Sequence, residues 1–295
     1  MISRILIQVI RVVRRHRLVP IVLLALAWFA ASASAEPFVY VVTLSQQFGT
    51  VDLANGSFHA IGNPTPDLMA DLVWGPDGFL YSLTTSGSDI GSLAKINPTT
   101  GKIMGKPKPT GLSYNVFSLA GVAGKLYVTD LSNNIYSVNP ATGAATLITA
   151  TGVPPDPNIP FTFNDDGTFN LCDEGFYSIG GELYATFDSF ALDTNPTIPT
   201  IAHVFVPPAL YRIDPATGIA TYVAETNLQL TALVQVNGQT YAFKGVLDGF
   251  DHTYSFPIAH NELVTLDLAT GETAKLTDID PSIGVIFGAA PVRSR

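Results

Sequence analysis

The sequence predicts an all-β protein built from repeated four-stranded antiparallel sheets, and three observations support this prediction. A strand–turn–strand unit recurs five times, a Gly-bearing turn introduces a further strand before most copies, and no stretch after residue 36 has the 3.6-residue periodicity of a helix. Radial repetition of such sheets is the architecture of a β-propeller. We therefore predict a β-propeller of about five blades, with six as the alternative.

The repeated unit is a hairpin whose turn sequence is nearly constant. It contains Asn-Pro-Thr-Thr-Gly at 97–101, Asn-Pro-Ala-Thr-Gly at 139–143 and Asp-Pro-Ala-Thr-Gly at 214–218, with looser copies at 49–56 and 263–271. The Asp or Asn side chain accepts a hydrogen bond from the backbone two residues on, Pro presets φ, and Gly supplies the left-handed residue that closes the loop. The turn chemistry explains these acidic residues without any catalytic role.

Two additional strands complete each unit. Four Gly-bearing turns come directly before or within predicted strands that contain Leu-Tyr or a similar pair. These turns are at 75–78, 122–125, 179–182 and 236–239. Strands rich in small residues precede three of these turns, at 70–74, 116–120 and 231–234. Small residues suit the innermost strand of a blade because inner strands crowd around the central channel.

The two ends of the chain predict how the ring closes. Residues 38–42 resemble the second strand of a blade, and residues 282–288 have the character of the missing inner strand. A blade shared between the termini would close the ring without leaving a free sheet edge at the junction. The spacing from Gly143 to Gly218 is 75 residues, and the excess over the other repeats is smaller than a blade, which favours five blades over six.

Residues 1–35 have the pattern of a cleavable signal peptide. Five Arg residues lie between positions 4 and 17, an apolar run covers 18–30, and Ala33, Ser34 and Ala35 supply the small residues of a cleavage site. The apolar run is shorter than the ~20 residues needed to span a bilayer, which favours cleavage over an uncleaved anchor. The sequence therefore predicts a secreted or periplasmic protein with one propeller domain, residues 36–295.

The charge of the predicted mature chain excludes some partners. The chain has 24 Asp and Glu and 15 Lys and Arg, and five of the basic residues lie in the signal peptide, so a net charge of about −14 remains. We expect no binding to nucleic acid and, after signal cleavage, none to membranes, because their phosphates would repel this surface. The chain has a single cysteine, Cys172, so an intrachain disulfide is impossible.

The repeat resembles those of a known group of proteins. Its sequence pattern is Leu-Tyr-x-Ile-Asp-Pro-Ala-Thr-Gly at 210–218. This pattern is similar to the repeats of exported bacterial propellers in the broad quinoprotein-like and beta-propeller-repeat superfamily. The resemblance covers nearly all of residues 38–290. It implies a propeller fold and no particular activity, because the group includes dehydrogenases, lyases, lactonases and binding proteins.

Three long connections carry the residues that we predict to form a ligand-binding site. Residues 151–175, 187–209 and 245–261 all join a second strand to a third or one blade to the next, so they project from one face of the ring. The polar and aromatic side chains predicted to bind ligand there are Phe161, Phe163, Asp188, His203, Asp248, Asp251, His252, Tyr254 and His260.

The same loops contain the candidate ligands for a divalent cation, although no motif establishes a cofactor. Asp165 and Asp166 precede a Gly in an oxygen-rich turn that would suit calcium, and Asp248 and His252 are a second candidate pair. The turn lacks the twelve-residue spacing of a calcium loop. HExxH and CxxC spacings are absent from the sequence.

These observations favour a non-enzymatic binding protein whose loop-bearing face takes a small-molecule, carbohydrate or protein ligand. Aromatic rings stack on apolar faces, and carboxylates accept hydrogen bonds from hydroxyl groups. The alternative is a metal-assisted hydrolase or lyase that uses Asp and His residues of the same loops. A third reading is a structural surface protein without a ligand.

Overall fold

The structure is a computed structural model that describes residues 37–65, 67–85, 90–112, 116–130, 134–149, 169–192, 204–226, 230–247 and 258–293. The predicted signal peptide lies outside these residues. In the described part of the chain no helix has the length and apolarity needed to cross a membrane.

Twenty β-strands account for nearly all of the regular structure. In chain order they are β1 (Phe38–Thr43), β2 (Phe48–Asp52), β3 (Phe58–Ala60), β4 (Met69–Trp74), β5 (Leu80–Thr84), β6 (Ser92–Ile96), β7 (Lys108–Pro109), β8 (Val116–Val122), β9 (Lys125–Asp130), β10 (Ile135–Val138), β11 (Ala145–Thr149), β12 (Phe169–Ile179), β13 (Glu182–Leu192), β14 (Val204–Ile213), β15 (Ala220–Glu225), β16 (Leu230–Val236), β17 (Gln239–Leu247), β18 (Ile258–Leu266), β19 (Thr273–Ile279) and β20 (Ile286–Pro291).

The strands form five four-stranded antiparallel sheets, which confirms the predicted five-bladed propeller. Blade 1 has the order β20-β1-β2-β3, and blades 2 to 5 are β4 to β7, β8 to β11, β12 to β15 and β16 to β19. The inner strand of each blade contacts the inner strands of both neighbours, so β20, β4, β8, β12 and β16 complete a ring.

The termini share blade 1, as predicted from the sequence. Strand β20 pairs antiparallel with β1, with Val39 opposite Pro291 and Val42 opposite Gly288. The closing strand begins at Ile286, four residues later than expected, because residues 281–283 form a 3-10 turn. Pro281 starts this turn, and Gly284, at φ 72°, ends it.

The five turns between third and fourth strands have the predicted hydrogen bonds. In each one the Asp or Asn side chain accepts from the backbone N–H two residues on, at 2.8–2.9 Å. In each one the turn glycine has a positive φ and donates its own N–H to the carbonyl of that Asp or Asn. The acidic residues of the repeat are therefore turn-formers, as the sequence indicated.

These turn glycines also allow neighbouring blades to approach one another. A Cβ on Gly143 would lie 2.6 Å from the carbonyl oxygen of Lys108 in the preceding blade, and one on Gly271 would lie within 2 Å of the carbonyl oxygen of Glu225. The repeated glycine therefore serves both the turn and the packing between blades.

The hydrophobic core is divided among the five interfaces between blades. One buried cluster lies in each interface, and each cluster combines residues from two adjacent sheets. Between blades 5 and 1, for example, Phe243 and Leu263 pack with Val39 and Val51. Each blade is thus buried on both faces, which explains the nearly continuous apolar character of its middle strands.

Blades 4 and 5 correct the predicted loop boundaries, because strands extend into all three predicted loops. Strand β12 pairs with β13 without interruption from Phe169 opposite Leu192 to Ile179 opposite Glu182, so 169–175 and 187–192 are strand residues. Residues 204–209, 245–247 and 258–261 likewise belong to β14, β17 and β18. These strand segments could not be predicted from the sequence because charged residues interrupt β12 and β13 and because two prolines, at 207 and 208, lie in β14. Those prolines fall where the pairing register shifts, a position that needs no N–H donor.

Candidate functional site

A cavity of about 290 Å³ lies at the centre of the ring. All five inner strands line it, with one representative from each being Asp71 of β4, Leu119 of β8, Phe176 of β12, Leu233 of β16 and Ala290 of β20. Its volume is close to the lower end of the range of small-molecule sites, ~300–1,000 Å³. The cavity is therefore a product of the ring itself rather than of any one loop.

Asp71 is the one acidic side chain among the described residues that line this cavity. It is 7% exposed, and it has a left-handed backbone conformation with φ 55°. The pairing of β4 with β5 shifts register between Ala70 and Val73, so Asp71 lies in a bulge. Bulges redirect a side chain out of the regular alternation of a strand.

Neighbouring blades hold the Asp71 carboxylate in place. Its Oδ2 accepts a hydrogen bond of 2.8 Å from Ser118 Oγ and one of 2.7 Å from the backbone N–H of Leu119. Ser118 Oγ in turn accepts a bond of 2.8 Å from the backbone N–H of Phe176. A chain of hydrogen bonds therefore links the inner strands of blades 2, 3 and 4.

Blade 1 approaches Asp71 from the other side through Gly288. A Cβ at position 288 would lie 2.3–2.4 Å from the carbonyl carbon and Cα of Asp71 and 2.6 Å from the backbone nitrogen of Leu72. No side chain fits at such a distance, so this close approach requires glycine. The bulge at Asp71 and the glycine in β20 are thus complementary features of the ring closure.

Burial raises the pKa of Asp71 to about 7, and the hydrogen bonds from Leu119 and Ser118 lower it by a smaller amount. Among the described residues no Lys, Arg or His forms an ion pair with this carboxylate. The raised pKa brings the titration of this carboxyl group close to neutral pH. A buried carboxyl group of this kind is a frequent property of binding and catalytic sites.

The rim of the cavity is formed by the ends of the inner strands and the turns that follow them. The guanidinium of Arg293 lies over the Trp74 ring, 4.6 Å from its centroid. Trp74 Nε1 donates a 2.7 Å hydrogen bond to the carbonyl oxygen of Pro291, which fixes the ring against β20. Gln235 and Gly180 line the rim from blades 5 and 4. The rim thus combines a cation, an amide and an aromatic surface.

Tyr177 forms the wall between blades 4 and 5. Its hydroxyl donates a 3.0 Å hydrogen bond to the carbonyl oxygen of Leu230 and lies 3.3 Å from Thr186 Oγ1. Tyr177 and Arg293 are, besides Asp71, the titratable side chains among the described residues that line the cavity. Tyr177 is thus held between the two blades by its hydroxyl group.

Most of the residues predicted as ligands lie outside the described residues. This group comprises Phe161, Phe163, Asp165, Asp166, His203, Asp248, Asp251, His252 and Tyr254. Asp188 lies in β13, opposite Asp173 of β12, and only its backbone is described. The predicted loop site therefore remains a prediction.

His260 is the one predicted site residue whose side chain is described, and it lies beside a network of ion pairs. Its Nε2 lies 3.3 Å from Asp278 Oδ1. Lys275 Nζ lies 2.7 Å from the same oxygen and 2.8 Å from Glu262 Oε1, and Lys244 Nζ lies 3.3 Å from Glu262 Oε2. The network crosses β17, β18 and β19 of blade 5.

The donor atoms of His260, Glu262 and Asp278 lie within 4.8 Å of one another, a spacing that a metal ion could use. The two lysines, however, already neutralise both carboxylates. Hydrogen bonds from Lys275 lower the pKa of Glu262 and of Asp278. A cation would have to displace Lys275 from both carboxylates, so the arrangement fits an ion-pair network better than a metal centre.

Sequence reasoning missed Asp71 as a functional candidate although it predicted the strand that contains it. The available signal was a charged residue between Ala70 and Leu72 in an inner strand. Acidic residues are seldom fully buried without a partner, so one at such a position indicates either a special contact or a site.

Comparisons with known proteins add no family. No protein-family model matches the sequence, and the search of curated proteins found no match. Among solved structures, the chain is similar to a protein of unknown function from Bacteroides caccae, with 10% identity and a TM-score of 0.47 over 88% of this chain and 100% of that one.

Two further structures are similar at the same level. One is TolB from Acinetobacter baumannii, with 12% identity and a TM-score of 0.45 over 87% of this chain and 66% of that one. The other is an inactive virginiamycin B lyase from Staphylococcus aureus with quinupristin, with 13% identity and a TM-score of 0.38 over 83% and 67%. Similarity at this level carries no inference about ligand or activity.

Proposed function

We propose that this protein is an exported propeller that binds a small molecule in its central cavity and does not transform it. The observation that supports this proposal is the cavity itself, which is lined by all five inner strands and contains the buried carboxylate of Asp71. Small-molecule sites are usually concave and have a few convergent polar groups that fix the orientation of the ligand.

The side chains of the cavity support binding rather than catalysis. The described residues that line it include no His, Cys or Lys and no second carboxylate. The hydroxyl groups of the lining belong to Tyr177 and Ser178, and neither is bonded to Asp71, whose donors among the described residues are Ser118 and Leu119. Nucleophilic catalysis needs a nucleophile paired with a base that is itself free to take a proton.

The rim of the cavity lies at one end of the inner strands. At this end, short turns join the inner strand of a blade to its second strand. The long connections predicted to bind ligand begin and end at the opposite end of the strands. We infer that the two faces have different tasks, with a small ligand in the cavity and any larger partner on the loop-bearing face. Export, and the relation to quinoprotein-like repeat proteins, rest on the sequence pattern alone.

The test is whether filling the cavity abolishes binding. Trp74 lines the rim, and the only other tryptophan is Trp28, so a Trp28→Phe background makes fluorescence report on the cavity. A panel of small polar molecules is screened against the full chain by fluorescence and by ligand-detected NMR. We expect Ala289→Leu, which adds bulk at the cavity wall, to abolish binding of every ligand found.

The matched control is Ala144→Leu, the same substitution on an exposed turn of blade 3. It should leave binding unchanged. Ligands that bind both variants with equal affinity, or a complete lack of ligands, would refute the proposal.

A further inference from the structure

We propose that the ligand of the central cavity carries a positively charged amino group and that Asp71 is the counter-ion for it. This inference rests on the proposed function and specifies its substrate class. The Asp71 carboxylate is 93% buried, and its hydrogen-bond donors, Ser118 and Leu119, are neutral. Among the described residues it has no cationic partner. Buried charges in proteins are paired, coordinated to a metal, or neutralised by a proton.

The hydrogen bonds of Asp71 leave one oxygen for a ligand. Both Ser118 Oγ and the N–H of Leu119 donate to Oδ2. Asp71 lines the cavity, and no donor among the described residues reaches Oδ1. A carboxylate oxygen accepts more than one hydrogen bond, and a bond from an ammonium group is about twice as strong as one from a neutral donor. The bonds to Oδ2 therefore orient Oδ1 as an acceptor for the ligand.

The remaining walls select the kind of cation. Leu72, Val73, Leu233 and Val234 line the cavity beside Asp71, and Ser178 and Gln235 add neutral side-chain oxygens to the same lining. Calcium takes six to eight oxygen ligands and magnesium six, and one carboxylate with a few neutral side-chain oxygens supplies fewer and little negative charge. An organic amine needs one strong acceptor and apolar surface for its carbon skeleton. These walls therefore favour a small primary or secondary amine over a metal ion.

Other charges around Asp71 do not compete with this role. Blade 3 faces it with the neutral Ser118 and Leu119, and blade 1 faces it with Gly288. The Tyr177 hydroxyl, from blade 4, donates a hydrogen bond to the carbonyl oxygen of Leu230. The one cation on the lining, Arg293, lies at the rim over Trp74.

The experiment compares amines with neutral molecules of the same shape. The probes are cyclohexylamine, phenethylamine and putrescine, each paired with cyclohexanol, 2-phenylethanol or 1,4-butanediol. Binding to the full chain in the Trp28→Phe background is measured by Trp74 fluorescence and ligand-detected NMR. We expect at least one amine to bind 10-fold or more tightly than its alcohol, and Asp71→Asn to remove that difference while leaving alcohol binding unchanged.

Asparagine is the matched substitution because it retains the shape, can accept the same two hydrogen bonds and tolerates the left-handed conformation of position 71. Should this variant fail to fold, the pH dependence of amine binding to the protein with Asp71 intact tests the proposal instead. Since the pKa of Asp71 is about 7 and the amines stay protonated, amine affinity should fall about 30-fold from pH 8 to pH 5.5.

Two results would overturn the proposal while the proposed function stands. One is binding of alcohols, or of other neutral molecules, in the cavity with no preference for amines. The other is an amine preference that persists in Asp71→Asn or does not change with pH. If neither amines nor neutral molecules bind, the proposed function fails as well.

Discussion

The protonation of Asp71 should make the stability of the propeller depend on pH in an unusual direction. Burial raises the pKa of this group from 3.8 to about 7 in the folded chain. Because the folded-state pKa exceeds the unfolded one, the folded chain holds the proton more tightly. The stabilisation is fully present below pH 3.8 and is lost as the pH rises through 7.

The size of the effect follows from the shift. One pKa unit corresponds to about 1.4 kcal/mol, so the contribution of Asp71 to the free energy of unfolding should decrease by about 4 kcal/mol between pH 4 and pH 8. Asparagine cannot titrate. The stability of Asp71→Asn relative to the unsubstituted chain should therefore increase by that amount over the same range.

The assay is urea denaturation of both proteins at half-unit pH intervals without added amines. Asp77→Asn is the matched control because the pKa of Asp77 is lowered: desolvation raises it, but the hydrogen bonds from Lys95, Tyr81 and Phe79 and the charge of Lys95 together outweigh desolvation. Its side chain is 39% exposed, so this variant should lose stability at neutral pH by only about 0.2–1 kcal/mol. If the free energies of unfolding of Asp71→Asn and of the unsubstituted chain change in parallel with pH, the reasoning about Asp71 is refuted.

Three further predictions concern the contacts that hold the ring. Gly288→Ala should lower the free energy of unfolding by ~1–3 kcal/mol or more in thermal denaturation, because the new Cβ would overlap the backbone of Asp71. Ser118→Ala should cost ~1–3 kcal/mol, since it leaves the buried N–H of Phe176 without its acceptor. Asp214→Ala should lower the midpoint of thermal denaturation through loss of the turn hydrogen bond, and Asp214→Asn should restore most of that loss.

Each of these has a comparison that separates a specific effect from general damage. Gly121→Ala meets its nearest atom at 3.3 Å, so it should cost less than Gly288→Ala. Ser118→Thr keeps the hydroxyl and should retain more stability than Ser118→Ala. Equal losses within either pair would contradict the proposed contacts, and so would an Asp214→Asn variant as unstable as Asp214→Ala.

Much of the fold could be predicted from the sequence because its determinants are local. The turn at 214–218 depends on an Asp accepting from the backbone two residues on and on a glycine with a positive φ, both within five residues. The same turn recurs five times, so the number of blades follows from counting. The shared blade follows from the character of the two ends.

The site could not be predicted in the same way because its determinants are distant in sequence. Asp71 bonds to a residue 47 positions later, and it meets Gly288 only when the ring closes. His260 looked like an isolated loop histidine, yet the pairing of β18 with β19 brings it to Asp278. Polar residues in a strand reveal their role only once the neighbouring blade is known.

The most direct test of the central claim is a crystal structure of the protein soaked with phenethylamine. We predict that the amine lies in the central cavity with its nitrogen ~2.7–2.9 Å from Asp71 Oδ1, the distance of a charge-assisted hydrogen bond. Its ring should lie between the inner strands that line the cavity. An amine bound only outside the cavity, or bound inside it with its nitrogen away from Asp71, would contradict the claim.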